Sequence, residues 1–284
     1  MGSKAEYIRY DRQIRLWGKT TQQRLMETEV RMLDLQGVNA EIAKNIVLAG
    51  IKSLKVYNTT QKIRAAELHN NLLVQRSNES MTCEEAGVET LKLLNPYVHI
   101  TLSNSDKGGT EGLAGGHGIS IALVRDVIEL SSVVAQCGDF SDVVVLSVQC
   151  NSCILTFFLY RDEMMTMEQQ WRRLVEDTTC IQNKPAAYQK MLLALYLGKS
   201  SPTYVQLLTS AMEAVEQLQL GKMSADEMEE VLTMKGRDPG PTTCTLAGAS
   251  VAQHLIRHVG ERGGERSWRW MICRGASEVE VGLD

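Results

Sequence analysis

Residues 30–57 read VRMLDLQGVNAEIAKNIVLAGIKSLKVY and predict a strand, a helix and a second strand in succession. Val30–Leu35 and Ser53–Tyr57 are short and rich in apolar residues, as strands are. Between them, apolar residues recur at helical spacing after Asn39, a favoured N-cap residue, and Gly50 is placed to end the helix. The unit therefore predicts the βαβ motif of a parallel sheet.

The rest of the chain supplies further elements of the same kind. The apolar, mostly β-branched run Val143–Val148 predicts a central parallel strand that is covered on both faces. We expect further strands at Tyr97–Leu102 and Cys153–Tyr160 and two around Gly275, and helices at 19–29, 84–94, 122–135, 168–177, 186–197, 203–219, 224–233 and 243–258. The predicted fold class is α/β: a three-layer, Rossmann-like domain with a helical insertion.

The order of these elements divides the chain into three parts. Residues 1–163 are predicted to form a Rossmann-like half, which carries a Gly-rich insertion at 104–118. Residues 164–235 form the helical insertion, and residues 236–284 add a closing helix and a β-hairpin. A length of 284 residues fits one such domain with insertions.

Composition excludes several classes of protein. The chain has 30 Lys and Arg against 34 Asp and Glu, a formal charge of −4, whereas a broad nucleic-acid or anionic-membrane surface needs a basic excess. It has no apolar run of about 18 residues that would span a membrane, and its start lacks the apolar core of a secretory signal. Its seven cysteines cannot all be paired. We therefore expect a soluble intracellular protein with reduced thiols, and no nucleic-acid or membrane partner.

The most specific motif lies at residues 10–18, YDRQIRLWG. On a helical turn, Arg12 and Arg15 are three residues apart and share one face, while Ile14 and Trp17 share another. One face can therefore bury Trp17 while the other presents fixed positive charge.

This motif resembles the opening of the ThiF/MoeB-like adenylating enzymes that activate ubiquitin and its relatives. The likeness continues through Val30–Gly50 and is strongest to the smaller, non-catalytic subunit of SUMO-activating heterodimers. It implies a regulatory subunit that supports ATP-dependent adenylation of the modifier's C-terminus and thioester transfer to the catalytic subunit. It also implies a location in nucleus and cytoplasm.

The resemblance assigns roles to five residues of the motif. Arg12 would reach in trans into the ATP site of the partner, with Arg15 in support, because a guanidinium stabilises the charge that develops on the α-phosphate. Tyr10, Gln13 and Trp17 would lie at the subunit interface. ATP and Mg²⁺ would be bound by the partner subunit.

The chain's own nucleotide turn departs from the family pattern. Residues 34–39 read DLQGVN, in which only Gly37 remains of a Gly-rich turn, and Asp34 and Asn39 replace the other two glycines. Asp34 would place negative charge beside a phosphate. No acidic residue follows the second strand, and Asn70 or Asn71 stands where the family has an arginine. We therefore expect Gly37 and Asn39 to form a degenerate turn, with no cofactor in this chain.

Two alternatives remain open, and a third is disfavoured. The chain could be a free-standing ThiF/MoeB-like adenylating enzyme, or a regulatory subunit for a different modifier. A Rossmann dehydrogenase would need a G-x-G-x-x-G turn and an acidic residue after the second strand, and both are missing.

Cys150 and Cys153 have zinc-knuckle spacing without a second pair, so no metal site is predicted. The resemblance also implies a crossover helix after the central strand, for which too few residues lie between Val148 and Asp162.

Overall fold

The computed structural model describes residues 4–57, 63, 71–75, 80–103, 118–124, 127–137, 141–150, 153–161, 164–197, 204–220, 223–234, 239–261, 268–275 and 278–282. The helices are α1 (Lys4–Trp17), α2 (Lys19–Leu25), α3 (Gly37–Ala49), α4 (Cys83–Leu94), α5 (Val127–Cys137), α6 (Met167–Val175), α7 (Thr178–Gln182), α8 (Ala186–Tyr196), α9 (Tyr204–Gln217), α10 (Ala225–Met234) and α11 (Pro241–Glu261). The strands are β1 (Glu29–Leu33), β2 (Ser53–Tyr57), β3 (His99–Ser103), β4 (Ile119–Leu123), β5 (Val143–Cys150), β6 (Cys153–Tyr160), β7 (Trp270–Arg274) and β8 (Glu278–Gly282). The predicted Gly-rich insertion lies outside the described residues except for Gly118.

The strands form one sheet in the order β3-β2-β1-β4-β5-β6-β7-β8. From β3 to β5 the neighbours run parallel, and from β5 to β8 they run antiparallel. The chain order reverses at β1, beside which β2 and β4 lie on opposite sides. In open parallel sheets, such a switch point opens a crevice at the carboxyl ends of the strands. The predicted α/β fold is confirmed.

One predicted helix is wrong at its start. The helix expected at 122–135 is preceded by β4, whose five residues are all buried, and α5 begins only at Val127. A short apolar run such as Ile119–Leu123 has no periodicity that distinguishes a strand from a buried helix. Because β4 and α5 supply a crossover before β5, β6 can follow through a tight hairpin that pairs Cys150 with Cys153. This accounts for the few residues after Val148.

Two apolar cores lie on the two faces of the sheet. Along β5, Val144 and Leu146 belong to the core that includes α5 and helices of the 164–235 region. The alternate residues Val143 and Val145 belong to the core that includes α3, α4 and α11. This alternation follows from the period of two along a strand, and it gives helix–sheet–helix layers. None of the described helices is both long and apolar enough to cross a bilayer.

Candidate functional site

Tyr10 anchors α1 to the body of the domain. It is 2% exposed, and its ring lies against Gly50, whose left-handed backbone ends α3. The Tyr10 hydroxyl accepts a hydrogen bond from Asn95 Nδ2 at 2.8 Å, and the same amide donates to the Val47 carbonyl at 2.7 Å. Burial raises the pKa of the Tyr10 hydroxyl. The Tyr10 side chain is thus an internal anchor of α1, and its predicted role at a subunit interface stays a prediction.

Gln13 and Trp17 fix the same face of α1. Gln13 Nε2 donates to the Leu48 carbonyl at 3.0 Å, and Trp17 Nε1 donates to Gln22 Oε1 at 3.1 Å. Gln22 in turn donates to the Ala49 carbonyl at 2.8 Å. Both side chains are half-buried, and they tie α1 to the C-terminal end of α3. Their interface role stays a prediction.

The opposite face of α1 carries the two arginines. Arg15 forms an exposed ion pair with Asp11 at 2.7 Å, a surface interaction worth little free energy. Arg12 is exposed, and among the described residues it has no hydrogen-bond or ion-pair partner. Helix α1 therefore holds a guanidinium on a rigid element and leaves it available to an anion outside this chain.

The turn that follows β1 is closed by carboxylates. Asp34 is buried and has a φ of 71°, and its Oδ1 accepts a hydrogen bond from the Gln36 N–H at 2.9 Å. The Leu35 N–H donates to Glu84 Oε1 at 3.4 Å. In a nucleotide-binding turn, backbone N–H groups at the start of a helix point at phosphate. Here two carboxylates of the chain itself accept hydrogen bonds from the Leu35 and Gln36 N–H groups, immediately before α3.

Asn39 and Gly37 complete this closed turn. Asn39 lies in the first turn of α3, and its Nδ2 donates to the carbonyls of Leu33 and Asp34 at 3.1 and 3.2 Å. The predicted N-cap role of Asn39 is wrong, since Gln36 occupies the cap position. A β-carbon on Gly37 would overlap the carboxamide of Gln149 from β5, so a side chain covers the backbone where a phosphate would approach.

Two side chains from outside residues 34–39 contact this turn, and the sequence of the turn does not predict them. Glu84, fully buried at the start of α4, and Gln149, near the end of β5, come from distant parts of the chain. Asn71 donates from Nδ2 to the Leu35 carbonyl at 2.8 Å, whereas Asn70 lies outside the described residues. The residues around Gly37 thus do not fit a nucleotide phosphate.

We expect Asp34→Ala to lower the free energy of unfolding by about 2–3 kcal/mol. The change removes a charge-assisted hydrogen bond to the Gln36 N–H, and that bond offsets the cost of holding a residue with a β-carbon at positive φ. Asp34→Asn keeps an acceptor and tolerates the left-handed backbone, so it should cost less than half as much. Urea unfolding of both variants measures the difference, and equal, small losses would show that the carboxylate does not hold the turn.

Cysteine and histidine side chains are the remaining candidates for metal binding or thiol chemistry in the described part of the chain. It contains no group of three or more His, Cys, Asp or Glu that could hold a metal ion. Cys153 is buried, and Cys180 is half-buried within the short helix α7. Histidines 254 and 258, four residues apart on α11, are also not part of a metal cluster.

His254 lies in an aromatic cluster instead. Its ring stacks on Trp268 with centroids 4.5 Å apart, and its Nε2 lies 2.6 Å from the Tyr160 hydroxyl. Because that hydroxyl donates to the Trp268 carbonyl, His254 must donate from Nε2 and keep Nδ1 unprotonated. Burial, with smaller contributions from His258 and Arg257, lowers the pKa of His254 to about 3.

This buried imidazole makes folding depend on pH. In the unfolded chain the imidazole of His254 binds a proton below about pH 6.5, whereas in the folded chain it stays neutral until the pH approaches 3. The contribution of His254 to the free energy of unfolding is therefore fully present above about pH 6.5 and is lost as the pH falls toward 3. Between pH 7 and pH 5 the parent protein should lose about 2 kcal/mol more than His254→Phe. Urea unfolding at several pH values measures this, with the exposed His99→Gln as control. Parallel curves for parent and His254→Phe would contradict it.

Comparisons with known proteins agree with the fold and with part of the sequence. No protein-family model matches the chain. SUMO-activating enzyme subunit 1 of Rattus norvegicus and of Homo sapiens are each 36% identical over 104 residues, which is 37% of this chain and 30% of the relative. The Danio rerio protein is 37% identical over 101 residues, 34% of this chain and 28% of the relative. The match thus spans less than a third of the length of these relatives.

Two solved structures share the fold over nearly the whole chain. A crystal structure of PaaA has a TM-score of 0.65 at 12% identity, covering 99% of this chain and 74% of that chain. A crystal structure of E. coli MccB with MccA-N7isoASN has a TM-score of 0.64 at 11% identity, covering 97% and 72%. The fold is therefore of the ThiF/MoeB type, and about a third of the chain is homologous to SUMO-activating enzyme subunit 1.

Proposed function

We propose that this chain is the regulatory subunit of a heterodimeric enzyme that activates a ubiquitin-like protein, with SUMO as the modifier. Its catalytic partner binds ATP and Mg²⁺, adenylates the modifier's C-terminus and accepts it as a thioester. This chain supplies Arg12 to the partner's nucleotide site. The proposal places the complex in the nucleus and cytoplasm.

The observation that carries this proposal is the contrast between the turn after β1 and the exposed face of α1. At the turn after β1, Asp34 and Glu84 place two carboxylates beside the start of α3, where they accept hydrogen bonds from the Gln36 and Leu35 N–H groups. On α1, Arg12 is exposed and is not engaged by any described residue. A chain that closes its own anion site but presents an unused guanidinium is suited to completing the site of another subunit.

The alignment to SUMO-activating enzyme subunit 1 favours SUMO over other modifiers, because relatives with that name match 34–37% of the chain. The closed turn argues against a free-standing adenylating enzyme. That alternative requires ATP chemistry by this chain alone, which needs an open helix start for phosphate, whereas here Asp34, Glu84 and Gln149 surround the start of α3.

The test is co-purification with the catalytic subunit of a SUMO-activating enzyme, followed by ATP–pyrophosphate exchange with SUMO. We expect a complex that supports exchange, whereas this chain alone with ATP, Mg²⁺ and SUMO should show none. Exchange by the isolated chain would overturn the proposal in favour of a free-standing enzyme. Failure to form a complex with that subunit, together with a complex formed with the catalytic subunit for another modifier, would overturn SUMO as the modifier.

A further inference from the structure

Several exposed apolar side chains lie on α1 and near the end of α4. In the described part, nine large apolar residues are exposed, and four of them lie on α1 or at the end of α4: Ile8, Leu16, Leu93 and Tyr97. Arg9 ties these two elements together, because its guanidinium donates to the Leu94 carbonyl. The four side chains therefore belong to neighbouring elements rather than to scattered positions. Exposed apolar side chains on neighbouring elements are candidates for an interaction site.

Two of these residues bracket Arg12. Ile8, Arg12 and Leu16 follow one another at intervals of four, so they share one face of α1, which we call the outer face. Ile8 is 69% and Leu16 79% exposed. Tyr10 and Trp17 point to the opposite side, where they contact Gly50 and Gln22. The buried side thus fixes the orientation of the outer face.

The charge of the outer face limits what can cover it. Its occupant must offer apolar contacts to Ile8 and Leu16 and an anionic group to Arg12. A second copy of this chain, packed about a two-fold axis on this face, would bring two Arg12 guanidinium groups together, and like charges in an interface are unfavourable. A nucleotide-binding subunit offers phosphate oxygens beside protein surface, which meets both requirements.

Resting on the proposed function, we infer that Ile8 and Leu16 are the apolar anchors by which this chain binds its catalytic subunit. Different side chains of the outer face then contribute to the affinity for the catalytic subunit and to the rate of adenylation. The two aliphatic residues contribute to binding because contact removes their exposed surface from water. Arg12, which lies between them, contributes mainly to the transition state for adenylation.

The experiment measures affinity and rate separately. The dissociation constant for the catalytic subunit of a SUMO-activating enzyme is measured by biolayer interferometry, and ATP–pyrophosphate exchange is measured with this chain in saturating excess. Ile8→Ser with Leu16→Ser should raise the dissociation constant at least about tenfold and leave exchange at saturation within about twofold of the parent value. Met212→Ser removes another exposed apolar side chain, from α9, and should change neither quantity.

The outcomes separate this inference from the proposed function. If the parent chain forms no complex, both are overturned. If the complex forms and Arg12→Ala lowers exchange, but the Ile8 and Leu16 changes leave affinity unaltered, only this inference is overturned. A homodimer of the parent chain that the same changes dissociate would show that a second copy covers the outer face, which also overturns it. Since both side chains are exposed, the variants should unfold at the same urea concentration as the parent.

Discussion

Arg12→Ala is expected to lower ATP–pyrophosphate exchange by the heterodimer at least about 100-fold, a loss of about 2.7 kcal/mol of transition-state stabilisation. The guanidinium lies on a helix anchored by Tyr10 and Gln13, and it is not bonded to any described residue. It can therefore bind an external phosphate without first breaking an internal ion pair. The dissociation constant of the heterodimer should change less than about threefold, because the interaction is strongest in the transition state.

Matched variants identify what the side chain contributes. Arg12→Lys keeps a positive charge but loses the planar fork that binds phosphate with two hydrogen bonds, so its rate should lie between those of the parent and Arg12→Ala. Arg172→Ala removes another exposed arginine, which lies on α6 and pairs with Glu168, and should leave exchange unchanged. Parent-like exchange by Arg12→Ala in an intact heterodimer would rule out a trans arginine.

Local sequence predicted the parts of the fold that depend on neighbouring residues. The βαβ unit at 30–57 was expected from helical spacing between two short apolar runs, and Gly50 adopts the left-handed conformation that its position suggested. The strand Ile119–Leu123 was missed because it is short and fully buried, and such a run has no periodicity that distinguishes a strand from a buried helix. Its neighbours β1 and β5 identify it as a strand, and such pairing is not visible in one segment.

In the candidate site, too, the sequence predicted only what depends on neighbouring residues. The loss of two glycines at Asp34 and Asn39 is readable from DLQGVN, and it indicated a turn unsuited to phosphate. The manner of closure was not readable, because Glu84 lies 49 positions beyond Leu35 and Gln149 comes from another strand. The inward role of Tyr10 was missed for the same reason: its partners Gly50 and Asn95 meet it only in the folded chain.

Those contacts of Tyr10 lead to the largest expected loss of stability. We expect Tyr10→Ala to lower the free energy of unfolding by about 3–5 kcal/mol, as loss of a buried aromatic ring does. The cavity would lie against Gly50, and Asn95 would lose one of its two acceptors. Tyr10→Phe keeps the ring and removes only the hydroxyl, so it should cost about 1 kcal/mol. Urea unfolding of both variants measures the two losses.

The same change should release the helix that carries Arg12. Since Tyr10 is fully buried, while Gln13 is only half-buried, the loss of the Tyr10 ring should allow α1 to separate from α3 before the domain unfolds. Amide hydrogen exchange at residues 4–17 should then accelerate in Tyr10→Ala and not in Tyr10→Phe. Pyrophosphate exchange by the heterodimer should fall even though Arg12 is present, because an unanchored helix cannot hold the guanidinium in place. If the α1 amides of Tyr10→Ala stay protected and its pyrophosphate exchange equals that of the parent, then other contacts position the outer face of α1.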